Sequence, residues 1–252
     1  MRMVMFFSCV CLVAGIGVAF AGGELPTVDV IRTVTGSLEI RPIEHATLVM
    51  IWNDVTITVD PVGGAEVFAG LPQADLILVT DIHKDHLSPE TIAVAGSKSA
   101  AIIAPTAVAE QLPKGDRGRV TVLANGASTT WRGLRIEAVP MYNLDPERQS
   151  FHPKGRGNGY VVSDGATRVY ISGDTEDIPE MRALENIDAA FLCMNLPYTM
   201  DVAAAADAVL EFAPKIVYPY HFRGTDGMSD LNEFTALVAQ NPAIDVRVLA
   251  WY

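Results

Sequence analysis

The chain has 252 residues and a formal net charge of −12 at pH 7, and hydrophobic residues make up 50% of it. Such an excess of acidic groups repels phosphate backbones and anionic lipid heads, so neither nucleic acid nor a membrane surface is an expected partner. A small-molecule substrate is expected instead, and a locally basic pocket would still allow it to be anionic.

The N-terminal 21 residues have the pattern of a signal peptide. Arg2 precedes an apolar run of roughly fifteen residues, and Ala-Phe-Ala at residues 19–21 supplies a cleavage site. An uncleaved membrane anchor is the alternative, but a membrane-spanning helix needs about 20 apolar residues. We therefore interpret 1–21 as a cleaved signal peptide and 22–252 as a single domain, periplasmic or secreted, with no stable membrane span after cleavage.

Cysteine usage leaves little room for disulfide chemistry. Cys9 and Cys11 fall in the signal segment, which leaves Cys193 alone in the mature chain. Stability then has to come from the core and from any bound metal. Because Cys193 lies in an apolar run, the sequence indicates a buried structural thiol rather than a nucleophile.

The first half is rich in short β-type segments. They predict strands at Leu38–Ile43, Thr47–Trp52, Thr56–Asp60, Asp75–Thr80, Ala100–Ile103 and Val120–Leu123. The dipeptide at 53–54 predicts a hairpin turn. A helix is predicted to begin after Ser88, which would cap it with Pro89 in its first turn, and another is predicted at Ala107–Leu112.

The second half repeats this pattern. Strands are predicted at Leu134–Val139, Tyr160–Ser163, Thr167–Ser172, Ala189–Met194, Ile216–Tyr220 and Val246–Leu249, and helices at Pro179–Leu184, Val202–Phe212 and Leu231–Gln240. An Asp-Gly turn at 164–165 is expected to join the second and third of these strands. Helices interleaved with mixed sheets in two similar halves predict an α/β (α+β) fold, a four-layer αββα sandwich with the helices outside.

A cluster of metal-ligand side chains follows one predicted strand. The chain has five histidines, and two of them, His83 and His86, lie beside Asp81 and Asp85 at the end of the segment 76–80. Neutral imidazole and carboxylate together are ligands for Zn²⁺, Fe²⁺ or Mn²⁺. A polar loop that begins a helix is the alternative, but four such side chains in six residues favour a metal.

This segment, Asp81-Ile-His83-Lys-Asp85-His86, resembles the His-x-His-x-Asp-His motif of the metallo-β-lactamase superfamily. Four further segments are similar to that family in the same order, and they surround His45, Asp60, Asp174 and His221. The resemblance is nearest to the branch of ascorbate-phosphate lactonase-like enzymes and phospholipase D-type hydrolases. It implies a metallo-β-lactamase-like fold over nearly the whole mature chain.

The resemblance also implies a metal site with one or two divalent ions, zinc first and manganese or iron as alternatives. His83 would belong to a first ion, and Asp85, His86 and His221 to a second. Asp174 would bridge the two ions and, with Asp85, act in catalysis. Two ions can share a water, lower its pKa and polarise a carbonyl or phosphoryl oxygen, which implies hydrolysis of an ester, lactone, amide or phosphodiester. Asp60 would accept a hydrogen bond from the N–H of a ligand imidazole and so fix its tautomer, although an Asp-Pro turn after a strand explains this residue equally well.

Two departures from the family motif fall on the first ion's site. Asp81 stands where the family has histidine, and Asn143 stands where a later histidine is expected. Asp81 can still bind a metal and would favour a harder ion such as Mn²⁺ or Fe²⁺. Asn143 is a weak ligand at best, so we place it behind the site. His152 is expected to fold in as a replacement ligand or to contact substrate, with a surface-loop histidine as the alternative.

The segment Gln149–Tyr160 contains the densest basic cluster, Lys154 and Arg156 among glycines. A mobile loop that binds an anionic group is one interpretation, and a solvated hairpin entry is the other. Tyr198 is a candidate substrate contact, although its neighbourhood could equally cap the helix at 202–212. His45 is expected to be structural or to line the pocket.

Two rival functions remain open. A di-iron oxidoreductase on the same fold would tolerate the mixed carboxylate and imidazole ligands. A non-catalytic metal-binding protein with a degenerate first site would explain the substitutions at Asp81 and Asn143.

Overall fold

Two seven-stranded sheets with the same plan form the centre of the fold. The structure is a computed structural model that describes residues 27–252, so the predicted signal peptide at 1–21 lies outside the described residues. The strands of the first sheet, adjacent in chain order, are β1 (Asp29–Thr33), β2 (Gly36–Glu44), β3 (Thr47–Trp52), β4 (Val55–Val59), β5 (Ala74–Leu78), β6 (Gly96–Ala104) and β7 (Val120–Val122). Strands β1 to β4 pair antiparallel, and β4 to β7 pair parallel.

The second sheet repeats this arrangement. Its strands are β8 (Ser128–Trp131), β9 (Leu134–Met141), β10 (Gly157–Ser163), β11 (Arg168–Ile171), β12 (Ala189–Cys193), β13 (Ile216–Tyr220) and, at the far edge, β16 (Asp245–Val246). Strands β8 to β11 pair antiparallel, and β11, β12, β13 and β16 pair parallel. A separate hairpin is formed by β14 (Arg223–Gly224) and β15 (Gly227–Met228).

Five α-helices accompany the sheets within residues 27–252. They are α1 (Pro89–Ala95), α2 (Thr106–Gln111), α3 (Pro179–Arg182), α4 (Val202–Phe212) and α5 (Leu231–Val238). Ser88 caps α1 by accepting a hydrogen bond from the Thr91 amide, and Asp201 caps α4 in the same way. In the described part of the chain, no helix is long and apolar enough to cross a membrane.

Strand β5 shows how the layers pack. Leu76 and Leu78 belong to the large apolar cluster that joins the two sheets, whereas Ile77 belongs to a second cluster with Ile92 of α1 and Val108 of α2. Alternate side chains of one strand therefore bury opposite faces, one against the other sheet and one against helices. The predicted αββα sandwich is confirmed.

Several predicted boundaries shift. β10 begins at Gly157 rather than at Tyr160, so part of the segment 149–160 is a strand. β1, β8 and the hairpin β14–β15 were not predicted, and β16 ends before most of the predicted segment 246–249. By contrast, β3, α4 and β13 have the predicted bounds.

Candidate metal centre

The carboxyl ends of parallel strands from both sheets meet at one edge of the sandwich. Asp60 directly follows β4, the segment 81–86 follows β5, Asp174 follows β11 and His221 follows β13. Side chains that are distant in the sequence are brought together here, as is usual for ligand sites of sheets with parallel strands.

A buried hydrogen-bond chain fixes one imidazole. Asp60 accepts hydrogen bonds from the Thr80 amide at 2.7 Å and from the Thr80 hydroxyl at 2.6 Å. The Nδ1 of His86 lies 2.8 Å from the same carboxylate, and all three side chains are buried. In a neutral His86 that donates its Nδ1–H to Asp60, the lone pair is on Nε2, as metal binding requires. The geometry agrees with the role expected of Asp60.

Asp85, His86 and His221 form the first of two candidate ligand groups, with one ligand atom of each within 4.8 Å of the others. His221 Nε2 lies 3.4 Å from Asp85 Oδ2 and 3.4 Å from Asp174 Oδ1. His86 Nε2 lies 3.2 Å from Asp174 Oδ2. The chain turns sharply at His221, whose φ is 46°, so its imidazole faces these carboxylates. We call Asp85, His86, Asp174 and His221 the Asp85 group.

The Asp85 group contains buried polar atoms that make no hydrogen bond within residues 27–252. They are the Nε2 atoms of His86 and His221 and Oδ1 of Asp174. Polar atoms in protein interiors are almost always paired, because an unpaired one costs about 1–3 kcal/mol. Imidazole nitrogens and carboxylate oxygens that converge in this way suit a four-coordinate divalent ion. The residues therefore fit the metal that the sequence predicts.

Electrostatics in the Asp85 group favour a bound cation. Burial raises the pKa of Asp174, but the charges of His221 and His86 outweigh burial and hold that pKa well below its ordinary value. Burial lowers the pKa of His86, but Asp174 and Asp60 outweigh it and hold that pKa well above the ordinary value. The carboxylates thus attract positive charge, which either a proton or a metal ion can provide.

Asp81, His83 and His152 form the second candidate group, with ligand atoms again within 4.8 Å of one another. His83 Nδ1 lies 2.9 Å from Asp81 Oδ2. His152 Nδ1 lies 3.1 Å from the Tyr198 carbonyl, and its Nε2 lies 3.2 Å from Asp174 Oδ2. His152 is therefore not a surface histidine, and the structure brings it to the place where the sequence lacks a family ligand. We call Asp81, His83 and His152 the Asp81 group.

Arg156 is paired with the Asp81 group. Its Nε donates to Asp81 Oδ1 at 3.0 Å and its Nη2 donates to Asp81 Oδ2 at 2.7 Å. Burial raises the pKa of Asp81, but hydrogen bonds from His83 and Arg156 outweigh burial and hold it below the ordinary value. Asp81 is therefore an ionised carboxylate with both of its oxygens engaged.

Both basic side chains of the segment 149–160 form ion pairs in the structure. Lys154 Nζ donates to Glu180 at 2.8 Å and lies over the ring of Tyr142, while Arg156 is committed to Asp81. Neither side chain lines a cavity beside the metal groups in the described part of the chain. That Lys154 and Arg156 bind an anionic substrate group stays a prediction.

Asn143 supports the loop that carries His152. Its side-chain amide donates to the carbonyls of Arg148 at 3.0 Å and Tyr198 at 2.7 Å, and its backbone amide donates to His152 at 2.9 Å. Asn143 thus holds the same Tyr198 carbonyl that faces the His152 ring. This agrees with a supporting position behind the site.

Two adjoining cavities open beside the Asp85 group. One, of about 330 Å³, is lined by His83, Asp85, Phe151, His152, Asp174, Asn195 and Tyr198. The other, of about 230 Å³, shares Asp85, Asn195 and Tyr198 and is also lined by His45 and His221. Volumes of this order accommodate small molecules. Tyr198 thus borders both cavities, and its contact with substrate stays a prediction.

His45 combines both of its expected roles. Its carbonyl accepts the His221 amide at 3.2 Å, and its Nδ1 lies 3.1 Å from the Tyr252 hydroxyl. Burial, His221 and Arg223 together lower the pKa of His45 to about 4, which keeps the ring neutral. His45 therefore supports His221 while lining the smaller cavity.

Sequence reasoning missed three supporting residues. Thr80 bonds Asp60, and buried Glu176 accepts the amides of residues 144 and 145 at 2.7 and 2.9 Å. At Gly173 the backbone has φ +62°, and a Cβ would lie 2.5 Å from Met141 Sδ. The Gly-Asp sequence before Thr175 could have indicated the role of Gly173, because only glycine tolerates so close an approach of another side chain to the backbone.

Comparisons with known proteins show which family the chain belongs to. A family model described as a beta-lactamase superfamily domain matches residues 39–221. A "UPF0173 metal-dependent hydrolase" of Thermococcus onnurineus is 28% identical over 82% of this chain and 95% of its own length. A crystal structure from Parabacteroides distasonis, named provisionally as a metal-dependent hydrolase, is 40% identical with a TM-score of 0.79, over 89% of this chain and 99% of that chain.

A metallo hydrolase from Ignicoccus hospitalis shares the fold with a TM-score of 0.71 at 23% identity, over 84% of this chain and 94% of that chain. The matched family segment, residues 39–221, contains every residue of the Asp81 and Asp85 groups. It also covers more than half of the chain, so the chain belongs to the metallo-β-lactamase superfamily.

Proposed function

We propose that the chain is a metal-dependent hydrolase that acts on a small ester, lactone, amide or phosphodiester. One observation carries the proposal: buried ligand atoms of His86, His221 and Asp174, which make no hydrogen bond within residues 27–252, converge beside a cavity of about 330 Å³. A divalent ion, zinc, manganese or iron, would lower the pKa of a bound water and polarise the substrate oxygen.

The chain's own residues would orient the ligands and the substrate. Asp60 fixes the tautomer of His86, and Tyr198 offers an aromatic wall to the substrate. His83 borders the same cavity, with its Nδ1 2.9 Å from Asp81 Oδ2 and its Nε2 3.4 Å from Arg156 Nη2, so these two partners would hold its ring against the substrate.

Hydrolysis is tested with a panel of esters, lactones, amides and phosphodiesters, after chelation and reloading with Zn²⁺, Mn²⁺ or Fe²⁺. Asp174→Asn keeps the size of the side chain and should lose both bound metal and turnover. Glu185→Gln, at an exposed position, is the matched control and should keep both. A folded, metal-loaded wild-type protein without turnover on the panel would contradict the proposal.

We also propose that the protein acts in the periplasm or outside the cell, after cleavage behind Ala21. The support is the apolar segment at 1–21 with its small-x-small end. Mass spectrometry of the protein from fractionated native cells tests this: an intact N-terminus in the cytoplasmic fraction would contradict it.

A further inference from the structure

The two candidate metal groups differ in how their charge is balanced. Within residues 27–252, the ion pairs of Asp85 and Asp174 involve only histidines. Asp81, by contrast, forms a two-point ion pair with an arginine, at 3.0 and 2.7 Å. The Asp85 group therefore lacks a permanent cation, and the Asp81 group already has one.

Several contacts hold the side chain of Arg156 in one position. Its Nη2 also donates to the Phe151 carbonyl, and its side chain is only 16% exposed. A guanidinium does not lose its proton in proteins, so it cannot become neutral as a histidine or lysine can when a metal binds. Asp81 is wholly buried, and each of its two oxygens already accepts a hydrogen bond from the guanidinium.

Distances make an ion on Asp81 unfavourable. A carboxylate oxygen binds a divalent ion at about 2.0–2.2 Å. Because Arg156 Nη2 lies 2.7 Å from Asp81 Oδ2, an ion on that oxygen would stand within about 5 Å of the guanidinium. Like charges this close, away from water, repel each other strongly.

We propose that this chain binds one metal ion, at the Asp85 group, and that Arg156 supplies beside Asp81 the positive charge that a second ion would otherwise provide. The inference rests on the proposed function, because it takes the Asp85 group as the site of the catalytic ion. His83 and His152 are then free to contact substrate rather than a metal.

The number of bound ions tests the inference without any activity assay. The protein, as residues 22–252, is stripped with a chelator, reloaded with Mn²⁺ and dialysed, and the bound metal ions per chain are counted by mass spectrometry. We expect one ion in the wild type, one in Arg156→Lys, which keeps the charge, and two in Arg156→Gln. The double variant Arg156→Gln/His152→Ala should return to one ion.

Electron paramagnetic resonance gives an independent readout. Wild-type protein should give an isolated Mn²⁺ spectrum, and Arg156→Gln a spectrum of two coupled ions. Two dialysis-resistant ions in the wild type, or a single ion in a folded Arg156→Gln protein, would overturn the inference. If Arg156→Gln does not fold, Arg156→Met repeats the test with an uncharged side chain of similar length.

These outcomes separate the two proposals. Two ions in an active wild-type protein would overturn this inference and leave the proposed hydrolase intact. One ion in an inactive protein would support this inference and contradict the hydrolase. Absence of bound metal would overturn both.

Discussion

Replacing Asp60 by asparagine should weaken metal binding without any direct change to a metal ligand. Asp60 accepts three hydrogen bonds, two from Thr80 and one from His86 Nδ1, at 2.7, 2.6 and 2.8 Å. An asparagine has one acceptor oxygen and one NH₂ group, so its NH₂ must face at least one of these donors. If the NH₂ faces His86, the imidazole relieves the clash by moving its proton to Nε2, where the metal should bind.

The size of the effect follows from this tautomer change. Loss of the group that orients a metal-binding histidine typically costs 10–100-fold in metal affinity, or about 1.4–2.7 kcal/mol. Competition with a chromophoric chelator for Mn²⁺ or Zn²⁺ measures the loss in Asp60→Asn.

A matched control separates this effect from a general effect of the substitution. Asp75 lies on strand β5 and accepts a hydrogen bond from the Thr56 amide at 3.1 Å. The Asp75→Asn protein should bind metal as the wild type does. A folded Asp60→Asn protein whose metal affinity is within twofold of the wild type would refute the reasoning.

Three other changes should have measurable effects. His152→Ala should lower kcat by about 10²-fold, since its Nε2 lies 3.2 Å from Asp174 beside the cavity; intact turnover and metal content would remove His152 from the site. Gly173→Ala should cost about 1–3 kcal/mol of unfolding free energy in a urea titration, because its Cβ would lie 2.5 Å from Met141 Sδ; an unchanged midpoint would argue against this crowding. Metal uptake near pH 7 should release about one proton, since Asp174 and Asp60 hold the pKa of His86 well above its ordinary value and its imidazole must be neutral to bind. The affinity for metal should therefore rise with pH. Calorimetry in buffers of different ionisation enthalpy measures the number of protons released, and metal binding without proton release would contradict the prediction.

The sequence predicted elements best where local signals were strong. Helix α4 begins after a capping Asp201, and β3 is a continuous apolar run, so both have the predicted bounds. The start of β10 was missed because glycines at 155, 157 and 159 suggested a loop. The strand needs glycine at 159 because a Cβ there would lie 2.7 Å from the Ser172 carbonyl oxygen, a long-range contact that no local pattern reveals.

The sequence predicted which residues belong to the candidate site better than it predicted which side chains form ion pairs there. Asp85 and His86 were predicted as ligands from their close spacing, and Asp174 was predicted from the family resemblance. Lys154 and Arg156 looked equivalent in sequence, yet one pairs with Glu180 and the other with Asp81. Which carboxylate a basic side chain meets depends on tertiary contacts, and a sequence pattern does not contain them.

The even division of the fold into two sheets has a consequence for how the metal affects stability. The first sheet leads into Asp85 and His86, while the second leads into Asp174 and His221. A bound ion would therefore act as a cross-link between the halves, and only the fully assembled sandwich could hold it. An ion present at 100 times its dissociation constant would add about 2.7 kcal/mol to the free energy of unfolding. Metal supply would then set the fraction of the protein that is folded as well as its activity.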